Sequence, residues 1–120
     1  LAWHRDVNSH NMLVSDADDG ASLPLLDSGF RASFWLCDLG LAVDSSTWVS
    51  EEIATSRFTQ GRGAWRITDI GGDCRYWPAS SWMVHCYGAE YLEGCEDWCR
   101  QYQTRLDIHG LAITTVEVLC

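Results

Sequence analysis

Three oxygen-bearing side chains stand out in the first third of the chain: Asp6 within His4-Arg5-Asp6, Asn11 five positions later, and Asp38 at the head of Asp38-Leu39-Gly40. Carboxylate and amide oxygens are the hard ligands Mg²⁺ takes, and a carboxylate can also orient a hydroxyl or accept its proton. Taken alone, Asp38-Leu39-Gly40 reads as an ordinary turn of an acid and a glycine. His85, Cys86, Cys95 and Cys99 have the residue types of a zinc site. They contain no paired Cys-x-x-Cys unit, however, and neighbouring Tyr87 and Trp98 suit packing better. Seven tryptophans without a basic groove do not make a nucleic-acid platform.

The elements that must position these residues are short. Met12-Leu13-Val14 reads as a strand directly after Asn11, and residues 33–37 read as a second one that ends at Asp38. Between them, residues 16–32 are rich in Asp, Ser and Gly around one proline, the composition of an inserted loop. Residues 44–73 are polar, with spaced glycines, and a long mobile segment is expected there. Arg75 to Trp82 brings aromatics and a proline together as an anchor after it. Residues 96–105 are charged and helix-compatible. The apolar stretch 106–120 is ambiguous, because Ile113-Thr114-Thr115-Val116 favours a strand by β-branching, whereas its length and the early Asp107 suit a buried helix.

Composition narrows the function classes. The 120 residues carry 17 acidic and 8 basic side chains, a formal charge of -9, with 47% hydrophobic and 21% charged residues. That describes one globular unit rather than a disordered chain. Every basic residue is arginine, so chemistry that needs an ammonium has none here. The acidic balance disfavours phosphate backbones and anionic lipid, and no run approaches a membrane span. The N-terminal residues do not read as a secretory signal, and six scattered cysteines suit free or buried thiols in a reducing, cytoplasmic compartment.

In combination the motifs carry more than each does alone. His4-Arg5-Asp6 with Asn11, followed by Asp38-Leu39-Gly40, resembles the catalytic and metal-binding loops of eukaryotic protein kinases. Gly72-Asp73-Cys74-Arg75-Tyr76-Trp77-Pro78-Ala79-Ser80 resembles the end of that family's activation segment. Asp107-Ile108-His109-Gly110 is similar to the opening of its large central helix. The wording around His4 to Asn11 leans towards the tyrosine-kinase-like group of serine/threonine kinases. The resemblance starts at the catalytic loop and stops inside the central helix, without a glycine-rich phosphate loop, strand lysine or partner glutamate.

What the resemblance implies is an α+β fold: a partial kinase-like C-terminal lobe, mainly helical, with a small antiparallel strand pair of residues 12–15 against 33–37. Its parts would be a catalytic loop at 1–11, an insertion at 16–32, an activation segment at 38–80 and a central helix at 106–120. Asp6 would orient the substrate hydroxyl, with Asn8 beside it where serine/threonine members carry lysine. Asn11 and Asp38 would hold Mg²⁺, and Leu13 would join them in binding ATP. His4, Arg5, Leu39, Gly40 and Asp107 would be structural: Asp107 accepting backbone hydrogen bonds from the His4-Arg5 turn, Leu39 packing near His4 as core. Arg5 would receive a phosphate from a residue such as Thr47, Ser50, Thr55, Ser56, Thr59 or Thr68. Partners would be a protein substrate and the missing N-terminal lobe of a parent domain, with no nucleic acid and no membrane contact from this segment, although the parent could be membrane-tethered.

Asn8, Asp73 and Ser80 depart from the family's pattern. They leave two expectations: a segment of an ATP-dependent serine/threonine kinase, inactive by itself, or a pseudokinase-like binding or scaffold module.

Overall fold

The computed structural model describes residues 1–16, 23–24, 31–49 and 63–120. The fold mixes helices with small antiparallel sheets. Strand β1 (Ala2–Trp3) pairs antiparallel with β5 (Val43–Asp44). Strand β2 (Met12–Asp16) pairs antiparallel with β4 (Arg31–Leu36) in the register Met12↔Leu36, and β3 (Leu23–Pro24) adds to the far side of β4. The expected strand pair is therefore present, but as part of a three-stranded sheet, and a separate two-stranded sheet accompanies it. Of the 16–32 insertion, residues 17–22 and 25–30 lie outside the described residues.

Helix α1 spans Ser45–Val49, α2 Ala79–Tyr87, α3 Glu96–Thr104 and α4 Leu106–Leu119. Short 3₁₀ turns lie at Ser9–Asn11, Leu39–Leu41, Ala64–Arg66, Cys74–Tyr76 and Ala89–Gly94. The ambiguous C-terminal stretch is helix. Thr114 and Thr115 give their hydroxyls to the carbonyls of Gly110 and Leu111, four residues back, which accommodates β-branched residues on the helix.

The core contradicts the expected mobility of residues 44–73 for their described parts, 44–49 and 63–73. Trp48 and Trp65 are both 0% exposed and form the core cluster with Leu92 and Tyr102. Tyr102 joins the two tryptophans, its ring centroid 5.9 Å from Trp48 and 6.0 Å from Trp65. Aromatic residues bury enough area for single anchors to order short polar stretches, and here Trp48 and Trp65 anchor theirs on Tyr102 of α3. Residues 50–62 lie outside the described residues.

Away from this core, the outer side of α4 and the β2–β4 sheet is apolar and uncovered. Met12, Phe34, Leu111, Thr114, Val118 and Leu119 line a groove of about 440 Å³. Among the described residues, no helix is long and apolar enough to cross a membrane.

Candidate functional site

The His4 to Asn11 loop is held from below by α4. The Asp107 carboxylate accepts both turn amides, His4 N at 2.7 Å on Oδ2 and Arg5 N at 2.8 Å on Oδ1. Two amide donors on one carboxylate make a charge-assisted pair and fix the turn while Arg5 takes a left-handed φ of 69°. His4 is buried, with its Nε2 2.9 Å from the Cys37 carbonyl oxygen. Close packing needs the missing side chain of Gly110, where a Cβ would collide with the Val7 carbonyl oxygen.

Asp6 sits at the centre of a three-donor cradle. Its Oδ1 accepts from Asn8 Nδ2 at 2.8 Å and from the Asp73 backbone N–H at 2.8 Å, and its Oδ2 accepts from Asn11 Nδ2 at 2.9 Å. Both amides also donate to the Asp6 carbonyl oxygen. Asn8 is buried, and its orientation is dictated by its other end: Oδ1 faces the N–H groups of His10 and Asn11 and caps the 3₁₀ turn. Its Nδ2 must then face Asp6. Gly72, at φ 85°, lets the incoming segment approach, since a Cβ there would lie 2.6 Å from the Arg5 carbonyl oxygen and 3.0 Å from Asp6 Oδ1.

Asp38 is linked to the Asp6–Asn11 pair only through the contacts of its neighbour Cys37. Cys37 N donates to the Asn11 carbonyl oxygen at 2.9 Å, and Cys37 Sγ lies 3.2 Å from the same oxygen. Asp38 follows in a left-handed conformation, φ 60°, and its Oδ1 accepts the Gly40 N–H at 3.2 Å. Asp6 and Asn11 are thus joined directly, while Asp38 stands one residue beyond the Asn11–Cys37 contact. Asn11 Oδ1 accepts no hydrogen bond among the described residues, and Asp38 keeps an exposed carboxylate. Both are hard oxygen donors of the kind Mg²⁺ takes one or two of, alongside waters and phosphates. Among the described residues, no three His, Cys, Asp or Glu side chains gather as a metal site.

Two predicted roles need correction. Leu39 is 67% exposed and does not pack as core. The Asp38 conformation and the 3₁₀ turn at 39–41 carry its side chain outward. Arg5 is 8% exposed, so it offers no open receiver for a phosphate. Its guanidinium donates to the carbonyl oxygens of Leu41 at 3.4 Å and Asp69 at 2.6 Å. It also lies over the Trp48 ring, 4.8 Å from the centroid. Burial pushes the Arg5 pKa down and the Tyr102 phenol up, and their mutual attraction opposes both shifts. Among the described residues the buried Tyr102 hydroxyl has no other hydrogen-bond partner. Leu13 is exposed on β2 and Gly40 follows Asp38 in its turn.

A polar cluster beside the cradle carried no obvious sign in the sequence. Tyr76 is buried, and its hydroxyl meets Ser9 and donates to Glu117 of α4. That hydrogen bond pulls the Glu117 carboxyl below its ordinary value. Asp73 turns its side chain away from Asp6 to pair with Arg75, whose guanidinium also lowers the Asp73 carboxyl. Arg75 reaches His10 Nε2 at 3.2 Å. The cavity behind Asp6, bounded by Asp73, Tyr76, Trp77 and Ser81, measures about 20 Å³, room for one water. Ser80 is fully buried, and its hydroxyl lacks a partner.

The chain matches no protein-family model, no curated protein and no solved structure.

Proposed function

We propose that this chain is a segment of an ATP-dependent serine/threonine protein kinase, the C-terminal-lobe part that orients the substrate hydroxyl and contributes to metal binding. The observation that carries the reading is the Asp6 cradle, whose carboxylate is held by Asn8, Asn11 and the Asp73 amide in a loop anchored on Asp107. A general base must be fixed in direction before it can orient a hydroxyl, and three donors provide that. Asn11 Oδ1 and the Asp38 carboxylate are the atoms this chain offers to Mg²⁺. When bound, the ion would neutralise charge on the transferred phosphoryl group of ATP. The remaining ATP contacts fall to residues of an N-terminal lobe. Four of the described arginines are already committed: Arg5 is buried, while Arg66, Arg75 and Arg100 pair with Glu93, Asp73 and Asp97. Free cysteines suit a reducing, intracellular setting.

One observation favours the second reading, a pseudokinase-like scaffold. Asn8 brings no charge to the centre, and the loss of a preorganised donor to developing charge costs on the order of a hundred- to a thousandfold in rate. The test is phosphate incorporation by the intact parent domain with Mg-ATP, wild type against Asp6→Asn. Incorporation that falls to background in the variant supports the enzyme. Equal incorporation, both at background, leaves the scaffold.

A further inference from the structure

We propose that Arg5 and Trp48 form a clamp that holds residues 41–49 against residues 63–70 without any phosphate. Arg5 is a buried guanidinium that forms no ion pair with a carboxylate among the described residues. A buried cation of this kind persists only where other groups replace its hydration. Here they are two backbone carbonyls and an aromatic face: Leu41 O at 3.4 Å, Asp69 O at 2.6 Å and the Trp48 ring at 4.8 Å. Leu41 and Trp48 come from the stretch that follows Asp38, and Asp69 from the stretch that leads into Gly72 and Asp73. One side chain therefore ties together both sides of the segment whose far end delivers the Asp73 amide to Asp6.

The candidate phosphorylation sites within the described residues do not face this cation. Thr47 donates its hydroxyl to the Asp44 carbonyl at 3.0 Å, and Thr68 donates to the Ala64 carbonyl at 2.7 Å. The guanidinium is closed over by the Trp48 and Tyr102 packing, and a phosphate would have to displace the carbonyls already bound. Arg5 and Trp48 are thus positioning residues. Their regulatory consequence, a cleft assembled constitutively, rests on the kinase reading above, but the clamp itself does not.

Hydrogen–deuterium exchange on the phosphate-free chain, its phosphorylation state verified by intact mass, tests the clamp without nucleotide. The reporters are the amides of Ala42, bonded to Leu39 just before the first clamped stretch, and of Ile67 and Thr68, bonded to Ala64 within the second, with Cys37, bonded to Asn11, as the control. Arg5→Lys keeps a cation for Trp48 but cannot fork to two carbonyls, and Trp48→Phe keeps a smaller aromatic face. Slow exchange in the wild type is expected, with about tenfold acceleration at the three reporters in Arg5→Lys, a smaller one in Trp48→Phe, and no change at Cys37. The clamp is overturned if both variants exchange like the wild type, or if acceleration spreads evenly to Cys37. It is also overturned if the reporters gain protection only after Thr47 or Thr68 is phosphorylated. Because no ATP is present, an inactive parent domain would leave this result untouched.

Discussion

Removing the Asp107 carboxylate should loosen the His4-Arg5 turn and, through it, everything hung on Asp6. The carboxylate accepts two backbone amides at 2.7 and 2.8 Å, and both donor residues are buried. Hydrogen bonds to a charged group contribute about 1.5–3 kcal/mol each. Asp107 itself is half-buried, so the lower end of that range applies, and Asp107→Ala should cost about 3 kcal/mol. Asp107→Asn keeps one acceptor oxygen but turns an N–H₂ towards an amide, and should cost about half as much or slightly more. Set against total stabilities of about 5–15 kcal/mol, that is a large fraction. With a urea dependence of about 1.5 kcal/mol per molar, Asp107→Ala should lower the unfolding midpoint by about 2 M. Tryptophan fluorescence reports the transition, since Trp48 and Trp65 lie in the core. Asp97→Ala, which removes an exposed pair with Arg100 and a first-turn acid of α3, is the control and should move the midpoint by no more than about a third as much. A midpoint for Asp107→Ala within about 0.3 M of wild type would refute the anchoring role, because no reading of two buried charge-assisted bonds gives so small an effect.

Gly110→Ala gains helix propensity but drives a methyl group into the Val7 carbonyl, so a net loss of about 2 kcal/mol is expected in the same urea assay. A stabilised variant would contradict the close approach. Tyr76→Phe removes the hydroxyl that holds the Glu117 carboxyl below its ordinary 4.5. A carboxyl depressed by folding adds stability above its unfolded value and loses it as pH falls through the folded one. The midpoint difference between wild type and Tyr76→Phe should therefore be present at neutral pH and shrink in acid. A difference constant with pH would exclude this link. Finally, Leu111→Gln with Val118→Lys, both in the uncovered groove, should reduce self-association in sedimentation velocity and leave the urea midpoint in place, since exposed apolar patches of this size promote association.

The parts of the fold legible in the sequence are those written in local pattern. The β2–β4 pair follows from two apolar runs, and its register carries Cys37, the residue before Asp38, to the Asn11 carbonyl. Asp107 is equally legible as an acid at the start of a helix. The ordered parts of 44–73 were not, because Trp48 and Trp65 are lone aromatics among polar residues, and no periodicity marks a stretch that folds by one anchor. The role of Arg5 was hidden for a related reason. Its partners are backbone carbonyls and a ring separated from it by 36 to 64 residues, and carbonyls carry no residue-type signature. Leu39 misled because its packing near His4 was implied only by the resemblance, whereas the left-handed Asp38 precedes a turn that leaves Leu39 exposed.

Asn8 and Asp73 act together on a single atom. Both donate to the same oxygen, Asp6 Oδ1, the first through its side-chain amide and the second through its backbone N–H. The Asp73 carboxylate, which would repel Asp6 if it faced inward, is drawn off by Arg75. The result is a carboxylate oriented entirely by neutral donors, with the Arg75 guanidinium committed to Asp73. A lysine at position 8 could supply charge, but it would forfeit the Oδ1 cap on His10 and Asn11 and would have to desolvate an ammonium at a buried position. The cradle is therefore rigid without bringing a positive charge to Asp6. On the phosphoryl-transfer reading, neutralisation of the transferred group then falls more heavily on the divalent ion at Asn11 and Asp38, and activity of the intact domain should depend on Mg²⁺ more steeply than in an Asn8→Lys variant that remains folded.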